Sequence, residues 1–200
     1  MIQLPFVIYE LIWYAAFLAT IVFAYKKMDR EEMLAFFAPA ILWGWLIEYT
    51  TQVVFARYHY GTGFLIYILN VPVNITLAWA TIIFWVYWKI VKREGNLSNI
   101  FKAAGVAAGL DFLVFEPLAN QFGFWIWTPL GLWFGSPIGN IFGWMCVVSL
   151  FLGAYELTNG YKQMFKARIS KFFTMLGFLV PALVMLTILL KLWVALFGLV

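Results

Sequence analysis

Glu48, Asp111 and Glu116 stand inside apolar stretches of the chain, each a short distance ahead of an aromatic run. Glu48 precedes Arg57-Tyr58-His59-Tyr60-Gly61; Asp111 and Glu116 precede Phe124-Trp125-Ile126-Trp127. An ionisable group at membrane depth costs about 2.5–3.5 kcal/mol on insertion scales, so its presence there is by default a sign of function. A carboxyl group withdrawn from water favours its protonated form, and a protonated acid can deliver a proton to an alkene. The product is a carbocation, which aromatic faces stabilise by about 0.5–2 kcal/mol each. A second, ionised carboxylate can then direct water to the cation or remove a different proton, and two acids in unlike environments allow one pocket to hold both roles. These residue types suit acid-catalysed hydration, cyclisation or isomerisation of a polyene. Asp111 or Glu116 is the expected general acid, and Glu48 the expected base or cation stabiliser.

The elements that position these groups are membrane spans. Hydrophobic residues make up 65% of the 200 positions and charged ones 11%, which excludes an ordinary soluble domain. Six stretches reach the roughly 20 residues that a helix needs to cross a hydrocarbon core. They lie at about 5–25, 33–56, 71–91, 99–122, 140–160 and 172–198. The first lacks a basic start and a small-residue cleavage site and carries Glu10, so it reads as a span, not a signal peptide. The expected fold is a single all-α polytopic bundle over 1–200.

Lys26, Lys27 and Arg30 fall in the first connection. Lys89, Lys92, Arg93 and Lys102 flank the third, and Lys162, Lys166, Arg168 and Lys171 fill the fifth. The second connection has Arg57 alone and the fourth has no basic residue. The positive-inside rule then places connections one, three and five in the cytoplasm and both termini outside. The positive net charge is thus a topology signal with affinity for anionic lipid headgroups. It is not a nucleic-acid footprint, since no basic patch is interleaved with aromatic residues. Lys191, late in the last span, is expected to snorkel outward.

Cys146 and His59 are the single cysteine and histidine, which leaves no disulfide framework and no multi-histidine or thiolate metal site. Aspartate-rich DxxxD boxes of the kind that hold diphosphate through magnesium are missing, as are a P-loop, a dinucleotide fingerprint and a nucleophile triad. No metal or cofactor is expected, and the expected partners are an apolar isoprenoid substrate and membrane lipid.

The middle of the chain is written twice, over about 44–80 and 110–145. In the first copy Glu48 leads to Tyr58-His59-Tyr60-Gly61, Val71-Pro72-Val73-Asn74 and Trp79. In the second Glu116 leads to Trp125-Ile126-Trp127, Ser136-Pro137-Ile138-Gly139-Asn140 and Trp144. Each unit goes out through one helix and back through the next, which is a parallel repeat about the membrane normal. The intervening segments 64–69 and 129–134 are apolar but too short to span, as interfacial or re-entrant connections are.

Helical spacing sets which polar groups meet. Trp45, Glu48 and Gln52 share a face, and Gly44 leaves room there for a neighbouring helix or a substrate. Glu116 and Asn120 share another. Asp111 and Glu116, five residues apart, diverge by roughly 140° on an α-helix and need not face one point. Tyr58, His59, Tyr60, Asn74, Asn120, Trp125, Trp127, Asn140 and Trp144 are the candidate substrate-contacting residues. Arg57, Glu10 and Gln52 are candidate supporting groups; in the competing reading, a polar network that only staples the helices together, Arg57 is the counter-ion of Glu48 or Glu116. Glu156 lies toward the opposite end, beside Thr158 and Asn159, and is expected to be interfacial.

The run Asp111-Phe112-Leu113-Val114-Phe115-Glu116-Pro117-Leu118-Ala119, through Gly123-Phe124-Trp125-Ile126-Trp127 and Gly135-Ser136-Pro137 to Asn140-Ile141-Phe142-Gly143-Trp144, resembles the carotenoid biosynthesis protein family. Glu48-Tyr49 through Tyr58-His59-Tyr60-Gly61 to Trp79 resembles that family's upstream motif, so the likeness covers roughly 44–145. It implies a polytopic enzyme, like the C50 carotenoid hydratase, that adds water across terminal double bonds of a long isoprenoid. Glu48, Asp111, Glu116 and Asn140 then fall on the family's polar motif positions. Membrane lycopene cyclases have a comparable tandem-hairpin arrangement, but their proline–glutamate–acid signature is missing here. Cyclisation or isomerisation, a non-enzymatic isoprenoid-binding subunit and a proton-coupled transporter are the competing readings.

Overall fold

Among the described residues, six helices are long and apolar enough to cross a membrane: Leu4–Lys27, Arg30–Val54, Val73–Val91, Leu97–Phe122, Asn140–Asn159 and Lys171–Ile188. The computed structural model describes residues 3–92, 95–160 and 168–197. Arg93, Lys162 and Lys166, part of the charge asymmetry, lie outside the described residues, as does the end of the sixth expected span. The chain is an integral membrane protein; the first five spans agree with the expected ones to within a few residues, and the sixth begins one residue before its expected start.

Helix α1 (Leu4–Lys27) runs into α2 (Arg30–Tyr49), whose start is capped by Asp29: its carboxylate accepts the Glu31 and Glu32 N–H groups at 3.1 and 2.7 Å. A π-helical turn, Thr50–Val54, ends this span, and a second, Tyr87–Val91, ends the span begun by α3 (Val73–Val86). The fourth span joins α4 (Leu97–Leu110), a π turn at Asp111–Phe115 and α5 (Glu116–Phe122). Helices α6 (Asn140–Gly160) and α7 (Arg168–Phe197) complete the bundle.

Span three is the centre: 67% of its most apolar window is buried, against 22% for span one and 17% for span six. It packs against α1, α2 and α4, while α6 lies along α4, and α7 rests on α2 and α6. Ala103, Ala104, Ala107 and Ala108 give α4 a face of small residues, all at most 1% exposed, and α6, whose Val148, Phe151 and Leu152 are fully buried, packs along α4. Such small-residue faces let backbones approach where lipid gives no hydrophobic drive to association.

The connections at the other end of spans two and four contain strands, which the all-helical expectation did not include. Tyr58–Tyr60 (β1) and Trp125–Trp127 (β4) pair antiparallel, with Tyr58 opposite Trp127, His59 opposite Ile126 and Tyr60 opposite Trp125. The ladder continues on both sides, Gly61 N–H donating to Phe124 O at 2.9 Å and Thr128 N–H to Arg57 O at 2.7 Å. Tyr67–Ile68 (β2) and Val71–Pro72 (β3) form a hairpin whose turn residues Leu69 and Asn70 both have positive φ. Apolar side chains stand exposed on both connections, among them Leu65, Leu69, Leu130 and Leu132. Glu10, fully buried on α1, ties the second connection down by accepting the Leu65 N–H at 2.8 Å and the Tyr14 hydroxyl at 3.2 Å.

Gly61 is where strand and bundle meet most tightly. A Cβ there would stand 2.3 Å from the Gly123 carbonyl oxygen and 2.8 Å from the Phe6 ring. Gly109 has nothing within 4 Å of the same position on its helix. Gly61→Ala is therefore expected to destabilise the protein by about 1–3 kcal/mol, as overpacking does, whereas Gly109→Ala is neutral or gains up to about 1 kcal/mol. Thermal unfolding of the two variants in detergent, read beside the parent, checks the contrast; equal behaviour would mean that the strand contact is not tight.

Candidate functional site

Glu48 sits in the last turn of α2, just before the Thr50–Val54 π turn, and is 7% exposed. Its Oε2 accepts the hydroxyls of Tyr58 and of Tyr60, the latter at 2.6 Å, and its Oε1 accepts Trp79 Nε1–H at 2.5 Å. Tyr58 and Tyr60 are two apart on a strand and so face the same way, toward the acid. Burial first, then the Glu48 carboxylate, pushes both tyrosine hydroxyls well above the ordinary phenol range, so they act as donors.

The same arrangement recurs on span four. Glu116, 2% exposed, accepts Trp125 Nε1–H at 3.1 Å and Trp127 Nε1–H at 2.9 Å on Oε2, both from β4. Asn140, the first residue of α6, donates from Nδ2 to Glu116 Oε1 at 2.8 Å and to Asp111 Oδ2 at 2.9 Å. Asp111 and Glu116 thus share one amide, against the expected divergence. The reason is local: residues 111–115 form a π turn, whose i→i+5 hydrogen bonds bring positions five apart onto nearly one face.

Between the two acid centres lies a cavity of about 630 Å³. Glu48, Asp111, Glu116 and Asn140 line it, together with Tyr58, Tyr60, Trp125, Trp127 and Trp144. Trp79 and Trp144 stack at 3.8 Å with an interplanar angle of 12°, joining the two returning helices. Gly44 gives its space to Trp79: a Cβ there would be 2.6 Å from the Trp79 Cβ. Toward the far helix the wall continues through Phe142, Leu183, Leu186 and Thr187.

Several expected members lie elsewhere. His59 is exposed, because strand alternation turns it away from the face that Tyr58 and Tyr60 share. Asn120 is exposed beside Gly135, and Gln52 reaches only the Glu48 carbonyl, at 3.5 Å. Asn74 is fully buried at the start of α3 but off the wall. Glu10 serves the second connection instead. Arg57 does line the cavity, yet among the described residues it forms no ion pair with Glu48 or Glu116, whose partners are all neutral donors. Glu156 is far from the cavity, half-buried, accepting Asn159 Nδ2–H at 3.3 Å.

Trp79 was legible as a repeat marker but not as a ligand of Glu48; its spacing of seven from Pro72, matched by Pro137 and Trp144, was the available signal. Tyr9 and Trp13, a turn apart on α1, also line the cavity and flank Glu10 in sequence. Nothing in the sequence of α7 marked Leu183, Leu186 or Thr187. Among the described residues no group of three or more His, Cys, Asp and Glu is placed to hold a metal ion.

The arrangement can hold protons on carboxyl groups next to an apolar volume walled by aromatic rings. No curated protein and no solved structure matches the chain. A family model described as "Carotenoid biosynthesis protein" matches residues 7–200, well beyond the two motif regions. The chain belongs to the carotenoid biosynthesis protein family.

Proposed function

We propose that this protein hydrates a double bond of an acyclic carotenoid-like polyene inside the membrane. The observation that carries the reading is the placement of three buried carboxyl groups, held only by neutral donors, on the wall of one aromatic cavity. The Asp111–Glu116 pair supplies the proton: it adds to one alkene carbon, and the electron pair of the double bond forms the new C–H bond. The neighbouring carbon is left as a tertiary cation beside the aromatic walls. Water attacks that carbon and loses a proton to Glu48, so one proton enters, one leaves, and the net addition is one water. Return of the proton from Glu48 to the pair resets the site. The unlike surroundings of the two centres support this division: Glu48 stands alone among Tyr58, Tyr60 and Trp79, whereas Asp111 and Glu116 share Asn140.

Two further readings accompany it. The units 44–80 and 110–145 form a parallel repeat; the antiparallel pairing centred on His59 and Ile126, the matched pairs Glu48/Trp79 and Glu116/Trp144, and the tryptophan stack support this. The site end of the bundle faces away from the cytoplasm, supported by the basic residues gathered at the opposite helix ends.

Expression beside an acyclic C40 or C50 pathway, followed by mass spectrometry of extracted pigments, tests the chemistry. The product is expected to gain the mass of one water per modified end. Asp111→Asn and Glu116→Gln are expected to lower its yield by at least about 100-fold, the scale of general acid catalysis. An unchanged mass with altered retention would replace hydration by cyclisation or isomerisation, and unaltered pigment would remove the reading. Topology has its own check: a periplasm-active phosphatase fused after Val200 is expected to be active, and a cytosol-dependent fluorescent protein dark.

A further inference from the structure

The acid centres have an unusual set of partners. Tyrosine hydroxyls, indole N–H groups, one amide and the Ser136 side chain are the hydrogen-bond partners of the three carboxyls. Arg57, the cationic side chain on the wall, pairs with none of them among the described residues. An ionised carboxylate here therefore lacks a direct ion-pair partner, in surroundings where charges are weakly screened and an unpaired one is costly. The aromatic residues add to this. Trp79, Trp125 and Trp127 direct their N–H edges to the acids, and their rings, with that of Trp144 stacked on Trp79, line the cavity with π-systems whose faces carry the negative part of the quadrupole. Away from the acids the wall is apolar, through Phe142, Leu183 and Leu186, with volume for a hydrocarbon chain.

We propose that this cavity is a binding site for a lipophilic organic cation, a protonated tertiary amine on an acyclic isoprenoid chain. The ammonium group lies between Glu48 and the Asp111–Glu116 pair, against the Trp79–Trp144 stack, and the chain follows α6 and α7. Small hydrophilic cations do not fill the apolar length and bind poorly. The assignment rests on the proposed proton chemistry for its rationale, since such an amine carries its charge where the reaction develops it. Binding itself is measured without turnover.

Cys146 makes that measurement possible, being the single cysteine and part of the cavity wall. Purified protein in detergent is treated with an N-alkyl maleimide in the presence of N,N-dimethylgeranylgeranylamine or of its hydrocarbon isostere, with CH in place of the protonated nitrogen. The amine is expected to slow alkylation of Cys146 at a concentration roughly tenfold or more below that needed by the isostere. Glu48→Gln and Glu116→Gln, singly, are each expected to narrow that gap while the isostere's own protection stays as in the parent, which shows that the cavity still forms. Equal potency of amine and isostere, no protection by the amine, or a gap unchanged in both variants would overturn the assignment. Preferential amine binding without any hydrated pigment in cells would retire the hydration reading and leave the cation site standing. Hydration with no amine preference would do the reverse.

Discussion

Three carboxyl groups withdrawn from water set the terms for everything around them. Lipid offers no hydrogen bonds, so each oxygen must find its donors within the protein. A helix can present donors only from its own face and its neighbours', whereas a strand presents alternate residues to one side. The two short strands meet this need: Tyr58 and Tyr60 from one, Trp125 and Trp127 from the other, each pair serving the acid of its own preceding helix. Pairing the strands with each other satisfies their backbones as well, which irregular chain at this depth could not do. Gly61, Phe6 and the Glu10–Leu65 bond then hold the sheet against the bundle.

Where donors are fixed so firmly, helix geometry has to adapt to the acids. Among the described residues, two of the three π turns adjoin them, one beginning two residues after Glu48 and one running from Asp111 to the residue before Glu116. Single π turns interrupt α-helices mainly at functional sites, because they re-aim side chains at the expense of helix stability. The second allows one amide, Asn140, to hold Asp111 and Glu116 together; in an unbroken α-helix the two would point apart. The π turn at Tyr87–Val91 lies at the opposite end of the bundle and has no part in this.

How much of this was legible follows from which signals are local. The spans were, because hydropathy over some twenty residues is what a bilayer demands. The acids were, because charge in such a stretch stands out, and the aromatic runs were, because they recur at like distances from Glu48 and Glu116. Strand pairing between residues near 59 and 126 was not: three-residue strands carry little propensity, and their partners lie far apart in the chain. The convergence of Asp111 on Glu116 was hidden by assuming 3.6 residues per turn throughout. His59 was placed in the site by its residue type, yet alternation along a strand overrules type. Arg57 was assigned by charge to a carboxylate, although neutral donors already occupy the oxygens of Glu48 and Glu116. Residues of α7 escaped notice because a helix apolar on all sides gives no sign of which face meets a cavity.

The two halves of the site differ where a perfect repeat would make them equal. Asp111 has no acidic counterpart five residues before Glu48, where Trp43 stands and donates its indole N–H to Val147 O at 3.2 Å. Asn140 joins two acids, whereas Asn74 at the matching start of α3 reaches neither acid centre. One half therefore holds two carboxyls bridged by one amide, and the other holds a single carboxyl among hydroxyl and indole donors. A symmetric pair of sites would have no reason to pass a proton in one direction. Departure from the proposed repeat at 111 and 74 is the asymmetry that supports the opposite roles proposed for the pair and the lone acid.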